Sequence, residues 1–242
     1  MRILVLILIF CMMASPAFGV KSVNGVATLN KITELTDPAH SAVIVIDMQD
    51  EIVSTQGGYN RPDRSRPPDP ARSTLLPRFQ QQVERIQRLL RAARQHHVMV
   101  VYTEYIHRDA SGHMLVNGPE TWGHLRESWV SSVTGGTWEA AIIRDLAPQP
   151  GEVTIEKSRG DSFYNTYLDD LLREKGITNV LLTGTAGGGC VLATAFGAME
   201  RGYYPIFVID SLDQQPFVRF VVKGRWPIYN LDQILDVWNA PR

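Results

Sequence analysis

Cysteine is almost absent from this chain: two occur in 242 residues, Cys11 and Cys190. Charge of either sign in excess is missing too. Lys plus Arg number 24 against 25 Asp plus Glu, a formal net charge of −1, so there is no broad basic field for nucleic acid. The one local cluster of cations, Arg61, Arg64, Arg66 and Arg72, is diluted by Asp63 and Asp69 and reads as a solvated loop. There is no internal repeat and no low-complexity tract. What remains is a chain with an ordinary apolar fraction, 44%, long enough to bury a sizeable core as one large domain or two small ones.

The first residues have the pattern of an export signal. Arg2 is a short positive start, Ile3 to Met13 is an almost continuous apolar run, and Ala17-Phe18-Gly19 is a small-x-small cleavage site. The run is too short to span a membrane comfortably. Cleavage after Gly19 and export are expected, with no membrane attachment of the mature chain. Cys11 leaves with the signal, so the mature chain carries one thiol, Cys190, and cannot form an internal disulfide. A lone thiol in an oxidising compartment needs either burial or a task.

Strands and helices alternate in the rest of the chain. Val20 to Asp37 is polar and mixed and reads as an arm. Ser41 to Asp47 is a β-branched, apolar strand, suited to burial on both faces. Gln56 to Ser73 is a Gly/Pro/Arg-rich loop. Leu75 to His96 keeps Leu76, Phe79, Val83, Ile86, Leu89, Leu90 and Ala93 on one helical face. Val98–Thr103 is a strand, Glu139–Leu146 a short helix, and Glu152–Lys157 a strand. Phe163–Lys175 is an amphipathic helix closed by Gly176. Asn179–Leu182 is a strand, Leu192–Arg201 a helix ended by Gly202, and Tyr204–Asp210 a strand. Trp226–Tyr229 and Asn230–Trp238 complete the pattern as strand and helix. Alternation of this kind predicts a mostly parallel sheet of five or six strands between helical layers.

In such a sheet the carboxyl ends of the strands share one edge, where ligands bind. Three of them carry polar chemistry: Asp47, Lys157 and Cys190. Cys190 follows a strand and a glycine-rich turn, Thr183 to Gly189, and opens a helix. Unsatisfied N–H groups and the helix dipole at such a place favour a thiolate, so a lowered thiol pKa is expected. Asp47 can take the thiol proton, Lys157 supplies positive charge, and Cys190 can attack a carbonyl carbon while backbone N–H groups hold the oxyanion. The long stretch Glu104 to Thr137, with His107, His113, His124, Trp122 and Trp129, reads as a pocket wall or lid. Its histidines lack the spacing of a metal site.

The chain resembles the isochorismatase-like cysteine hydrolases, which include nicotinamidase, N-carbamoylsarcosine amidohydrolase and ureidoacrylate amidohydrolase. The resemblance covers about Ser41 to Asp213. It rests on Val-Ile-Asp-Met-Gln at 45–49, Gly-Thr-Trp-Glu at 136–139 and Pro-Gly-Glu-Val-Thr-Ile-Glu-Lys at 150–157. Gly-Thr-Ala-Gly-Gly-Gly-Cys-Val at 184–191 and Val-Ile-Asp at 208–210 complete it. It implies a three-layer α/β/α fold for a hydrolase domain at 41–242, following the signal peptide at 1–19 and the arm at 20–40, and an export signal is unusual for this family. It implies an Asp47–Lys157–Cys190 triad, a cis peptide at Thr185–Ala186, and an oxyanion hole from the N–H groups of Ala186 and Cys190. Ile52, Tyr105, His107 and Trp122 become candidate substrate contacts. A homo-oligomer acting on a small molecule is implied, with no cofactor.

Departures from the family pattern bear on substrate. Asp50-Glu51-Ile52 stands where the family often has Asn-Asp-Phe. Tyr105 stands where the nicotinamidase metal site has its Asp, although His107 keeps the His position, so no metal is expected. Three glycines precede Cys190, and after Asp213 the chain looks short of the family's usual helix-containing segment. The reading is an exported amidohydrolase cleaving a C–N bond of a small amide or ureido compound. The alternatives are a vinyl-ether hydrolase and a non-catalytic binding or thiol-redox protein on the same scaffold.

Overall fold

The computed structural model describes residues 21–23, 26–54, 56–57, 75–113, 115 and 133–241. The signal segment, the Arg61–Arg72 cluster, Trp122, His124 and Trp129 lie outside the described residues. Within them, six parallel strands form one sheet. They are β3 (Ser41–Ile46), β4 (Met99–Tyr105), β5 (Val153–Lys157), β6 (Asn179–Gly184), β7 (Tyr204–Leu212) and β8 (Ile228–Tyr229). Their order across the sheet is β5-β4-β3-β6-β7-β8. The three-layer α/β/α fold expected from the sequence is the observed one.

Side chains alternate along β3 because successive residues of a strand point to opposite faces. Val43 and Val45 join a core with Phe79, Ile86, Leu89 and Leu90 of the helix Leu75–Gln95 and with Leu231, Ile234 and Trp238 of the helix Leu231–Asn239. Ala42, Ile44 and Ile46 join a second core with Leu168 and Leu172 of Leu168–Glu174, Ala195 and Ala198 of Leu192–Glu200, and Val218 and Val222 of Gln215–Val222. Burial of every residue of β3 and β6 follows from helices covering both faces. Gly176 and Gly202 turn the chain after their helices at φ of 67° and 84°.

The arm before β3 is structured. Lys21–Val23 (β1) pairs antiparallel with Val26–Thr28 (β2), and a single helical turn, Ile32–Leu35, follows. Leu35 is buried in the core, Trp238 Nε1 donates to Thr36 O at 2.6 Å, and Asn179 Nδ2 donates to Glu34 O at 3.0 Å. The segment from Ile32 is thereby tied to both β6 and the last helix.

Three local expectations need correction. Glu139–Leu146 is not a helix; it is a turn followed by the 3-10 segment Arg144–Leu146. Its backbone is used elsewhere: Glu139 O, Ala141 O and Ile143 N bond Glu51 N, Asp50 N and Met48 O, at 3.1, 2.9 and 2.9 Å. A helix would need those groups for itself. The helix expected over Phe163–Lys175 begins only at Leu168, because Asn165 has φ of 54° and breaks it. Finally, the segment after Asp213 does hold a helix, Gln215–Val222, seated by Val218 and Val222 one turn apart.

Truncating Leu89, which is fully buried under the sheet, should cost about 3 kcal/mol as Leu89→Ala. Truncating exposed Arg91 on the same helix should cost under roughly 0.5 kcal/mol. Denaturant unfolding of the two variants checks both values.

Candidate active site

The sheet order places β3 at a switch point, with later strands added first on one side and then on the other. Open α/β sheets bind ligands outside such a point. Asp47 directly follows β3. Its backbone turns into the left-handed region at φ 53°, a conformation that costs a non-glycine residue about 1 kcal/mol or more. Thr103 at the end of β4 holds it there. Asp47 N donates to Thr103 O at 3.1 Å, and Thr103 Oγ1 donates to Asp47 Oδ1 at 2.6 Å.

Lys157 ends β5, two strands away from β3. Neighbouring strands lie about 4.8 Å apart, so only a long side chain can cross β4 to reach Asp47. Lys157 does so: its Nζ lies 4.5 Å from the centre of the Tyr105 ring and 2.8 Å from Asp47 Oδ2, and it donates to Arg159 O at 3.0 Å. The two side chains are 0% and 1% exposed. Burial works against the ammonium, but the Asp47 carboxylate and the Cys190 sulfur outweigh it and hold the Lys157 pKa above the usual lysine value.

Cys190 sits in the π-helical turn Gly187–Val191 between β6 and the helix Leu192–Glu200. It is half-buried, and its sulfur is in hydrogen-bonding reach of both Asp47 and Lys157. The expected lowering of its pKa is reversed. Burial first, and the Asp47 carboxylate second, push the thiol up to about 12; Lys157 pulls the other way and loses. The partial charge of a helix N-terminus is small beside desolvation and a full negative charge in contact. The resting site is therefore carboxylate, ammonium and neutral thiol, with the thiol facing a base.

The Thr185–Ala186 peptide is cis. Ala186 O accepts from Gly189 N at 2.9 Å and Val191 N at 3.2 Å, which folds the turn beneath the sulfur. Tyr105 lies beside the trio: burial first, then the Cys190 sulfur, raise its phenol pKa. His107 is 5% exposed and meets the Tyr105 ring edge-on at 4.9 Å. Burial and Lys157 lower its pKa to about 4, so it is a neutral imidazole near neutral pH, and its Nδ1 has no hydrogen-bond partner. Ile52 packs against the core on the Leu75–Gln95 side. Among the described residues no three His, Cys, Asp or Glu side chains gather as a metal site.

Several positioning residues escaped the sequence reading. Gln49 Nε2 donates to Ala140 O at 2.9 Å and Tyr105 O at 3.2 Å, and its Oε1 accepts from Tyr105 N at 2.8 Å. Buried Gln82, on the Leu75–Gln95 helix, donates to Gly184 O at 2.7 Å and Ser211 O at 3.1 Å. Asp213 Oδ1 accepts from Gly187 N at 2.5 Å, and its carboxylate also takes the Thr185 hydroxyl. The glycine run shows why a helix packs here. A Cβ on Gly187 would lie 2.8 Å from Val218 Cγ2, and one on Gly188 would lie 2.7 Å from Phe217 Cε1. The triple glycine was the visible signal of a close approach; its partner was not visible.

Removing one member of the buried pair should be costly. Lys157→Met leaves the Asp47 carboxylate buried and unpaired, an expected loss of about 3–5 kcal/mol, much of it recovered in Asp47→Asn/Lys157→Met. Denaturant unfolding of the two variants and the wild type checks this. Asp47→Asn alone removes the negative charge that raises the thiol pKa while Lys157 still lowers it. The thiol of that variant should titrate at lower pH than in the wild type, as followed by ultraviolet thiolate absorbance.

Known proteins resemble this chain in sequence and in fold. Residues 41–214 match the family model for the isochorismatase domain. The ureidoacrylate amidohydrolase RutB of Rhizobium rhizogenes is 30% identical over 183 residues, which cover 72% of this chain and 70% of that protein. RutB of Agrobacterium fabrum is 30% identical over 193 residues, covering 72% and 76%. A cysteine hydrolase from Pseudomonas syringae pv. phaseolicola superposes with a TM-score of 0.67 at 22% identity, over 83% of this chain and 93% of that one. The N-carbamoylsarcosine amidase of Thermoplasma acidophilum superposes at 0.59 with 25% identity, over 80% and 97%.

Proposed function

The chain belongs to the isochorismatase family of hydrolases, and from that premise we propose that it hydrolyses a C–N bond of a small amide or ureido compound through an acyl-enzyme on Cys190. The observation that carries this reading is geometric: the Cys190 sulfur lies in reach of the Asp47 carboxylate, which the buried Lys157 ammonium holds at 2.8 Å. A thiol with a pKa near 12 is a poor nucleophile by itself and needs a base at the moment of attack.

In this reading, Asp47 takes the thiol proton as Sγ bonds to the substrate carbonyl carbon. The carbonyl oxygen becomes an oxyanion, held by the N–H groups of Ala186 and Cys190 at the folded turn. The tetrahedral species collapses, the C–N bond breaks, and the departing nitrogen takes the proton back from Asp47. Water then attacks the thioester, again giving a proton to Asp47, and the thiol is restored as the acid leaves. Lys157 keeps Asp47 charged and oriented throughout and donates no proton. Tyr105 and neutral His107 wall the pocket beside the sulfur. The relatives named for ureidoacrylate and N-carbamoylsarcosine support a substrate bearing an amide or ureido group.

The N-terminal signal pattern supports export. On this reading the purified mature protein starts at Val20, as intact mass will show; a retained Met1 contradicts it.

Cys190→Ala and Asp47→Asn should each lower ammonia release from a panel of primary amides and ureido compounds by at least about 10³-fold. Mass spectrometry of wild-type protein quenched during turnover should show an acyl adduct on the Cys190 peptide. Turnover undiminished in Cys190→Ala excludes the mechanism.

A further inference from the structure

We propose that Gly189 determines specificity at this site: the side chain it lacks leaves the width beside Cys190 that a branched or ring-bearing acyl group needs. The inference rests on the amidohydrolase reading and adds to it the shape of the acyl group.

The glycines around Cys190 are glycine for different reasons. A Cβ on Gly187 would lie 2.5 Å from Asp213 O and 2.8 Å from Val218 Cγ2. One on Gly188 would lie 2.7 Å from Phe217 Cε1 and 2.8 Å from Gln214 Oε1. One on Gly160, in the loop after β5, would lie 3.3 Å from Ala193 Cβ and 3.9 Å from Cys190 Cα. Packing accounts for these three. Gly189 is unlike them. Apart from its chain neighbours and the backbone of its own turn, the nearest heavy atom among the described residues is Ala186 Cβ at 3.5 Å, an ordinary van der Waals contact. The backbone does not ask for glycine there either, because its φ lies outside the left-handed region. Its N–H donates to Ala186 O at 2.9 Å, a bond that any residue except proline can make.

Gly189 lies inside the helical turn Gly187–Val191. In such a backbone glycine is less favourable than alanine, since it has more freedom to lose on folding. The fold therefore gives up stability at this position and gains no contact in return. The gain lies in what comes to the turn. Gly189 is exposed, and it stands in the chain between half-buried Ala186 and Cys190, whose N–H groups are the proposed oxyanion donors. A side chain at 189 would begin against Ala186 Cβ and grow from the exposed rim of the turn that carries the sulfur. Its absence leaves that rim clear for a group wider than an unbranched chain.

Two thiol reagents of different width test this without knowledge of the natural substrate. Iodoacetamide is narrow: Sγ bonds to its methylene carbon, iodide leaves, and the thiol proton passes to Asp47. N-Phenylmaleimide is wide: Sγ adds to one carbon of the ring C=C, and the thiol proton ends on the other. The ratio of the maleimide rate to the iodoacetamide rate at Cys190, read by peptide mass spectrometry, should fall about tenfold in Gly189→Val and less in Gly189→Ala. The iodoacetamide rate reports in each variant whether the site remains folded, and a purely structural change does not separate the two reagents. Denaturant unfolding supplies an independent check. Gly189→Ala should keep or raise the unfolding midpoint, because alanine restricts the unfolded chain at a position whose native backbone suits it. Gly188→Ala should lower it. A rate ratio unmoved by Gly189→Val, or a midpoint lowered as much by Gly189→Ala as by Gly188→Ala, overturns this inference alone. Cys190 unreactive to both reagents in the wild type overturns the amidohydrolase reading and this inference with it.

Discussion

The contact between Lys157 and Asp47, 2.8 Å long and closed to solvent on both sides, is the constraint on which the site depends. Burying two charges costs several kcal/mol per ion, and the attraction between them repays that only when the geometry is good. A pair of apolar side chains in the same place would serve the fold at least as well. What the pair provides is a carboxylate and an ammonium held in contact beside the sulfur. That carboxylate raises the thiol pKa and is also the acceptor that the thiol proton needs. The same neighbour therefore keeps Cys190 quiet at rest and equips it to react.

The sheet explains why three residues so distant in sequence meet. β3 supplies Asp47, β6 leads to Cys190 on one side, and β5 supplies Lys157 from beyond β4 on the other. The register sets Tyr105 opposite Lys157 and Thr103 opposite Ile46. Thr103 and Tyr105 then present the same face of β4, one to Asp47 and one beneath the Lys157 stem. The two-residue period of a strand thus places a hydroxyl for the carboxylate and a ring for the ammonium with no separate device.

Much of this was legible. Ser41–Ile46 and Asn179–Leu182 announce themselves because strands covered on both faces must be apolar throughout. A polar residue at the end of such a strand is out of place unless it works, which singles out Asp47; Lys157 ends the mixed edge strand β5 and is marked only by its place at the same sheet edge. The thiol's electrostatics were not legible. A helix N-terminus can be read locally, but the carboxylate and the desolvation that oppose it come from other strands. Glu139–Leu146 misled for a similar reason: its helical spacing is real, yet Met48, Asp50 and Glu51 claim its backbone groups. Gln49 and Gln82 were invisible as clamps because a glutamine's partners are carbonyls, and a carbonyl leaves no mark on the sequence.

The nucleophile turn shows how far from the sulfur its position is determined. Gln82, on a helix of one layer, holds the carbonyl of Gly184 just before the turn. Asp213, at the end of β7, holds Gly187 N and the Thr185 hydroxyl. The helix Gln215–Val222, in the opposite layer, lies so close that side chains at 187 and 188 are excluded. Glycine at these positions is usually a source of freedom. Here the freedom is removed by packing, and what survives is proximity: the turn can lie against Val218 and Phe217 because it has nothing to displace. Gly187 and Gly188 are, in the fold, the condition for a tight floor beneath the nucleophile turn.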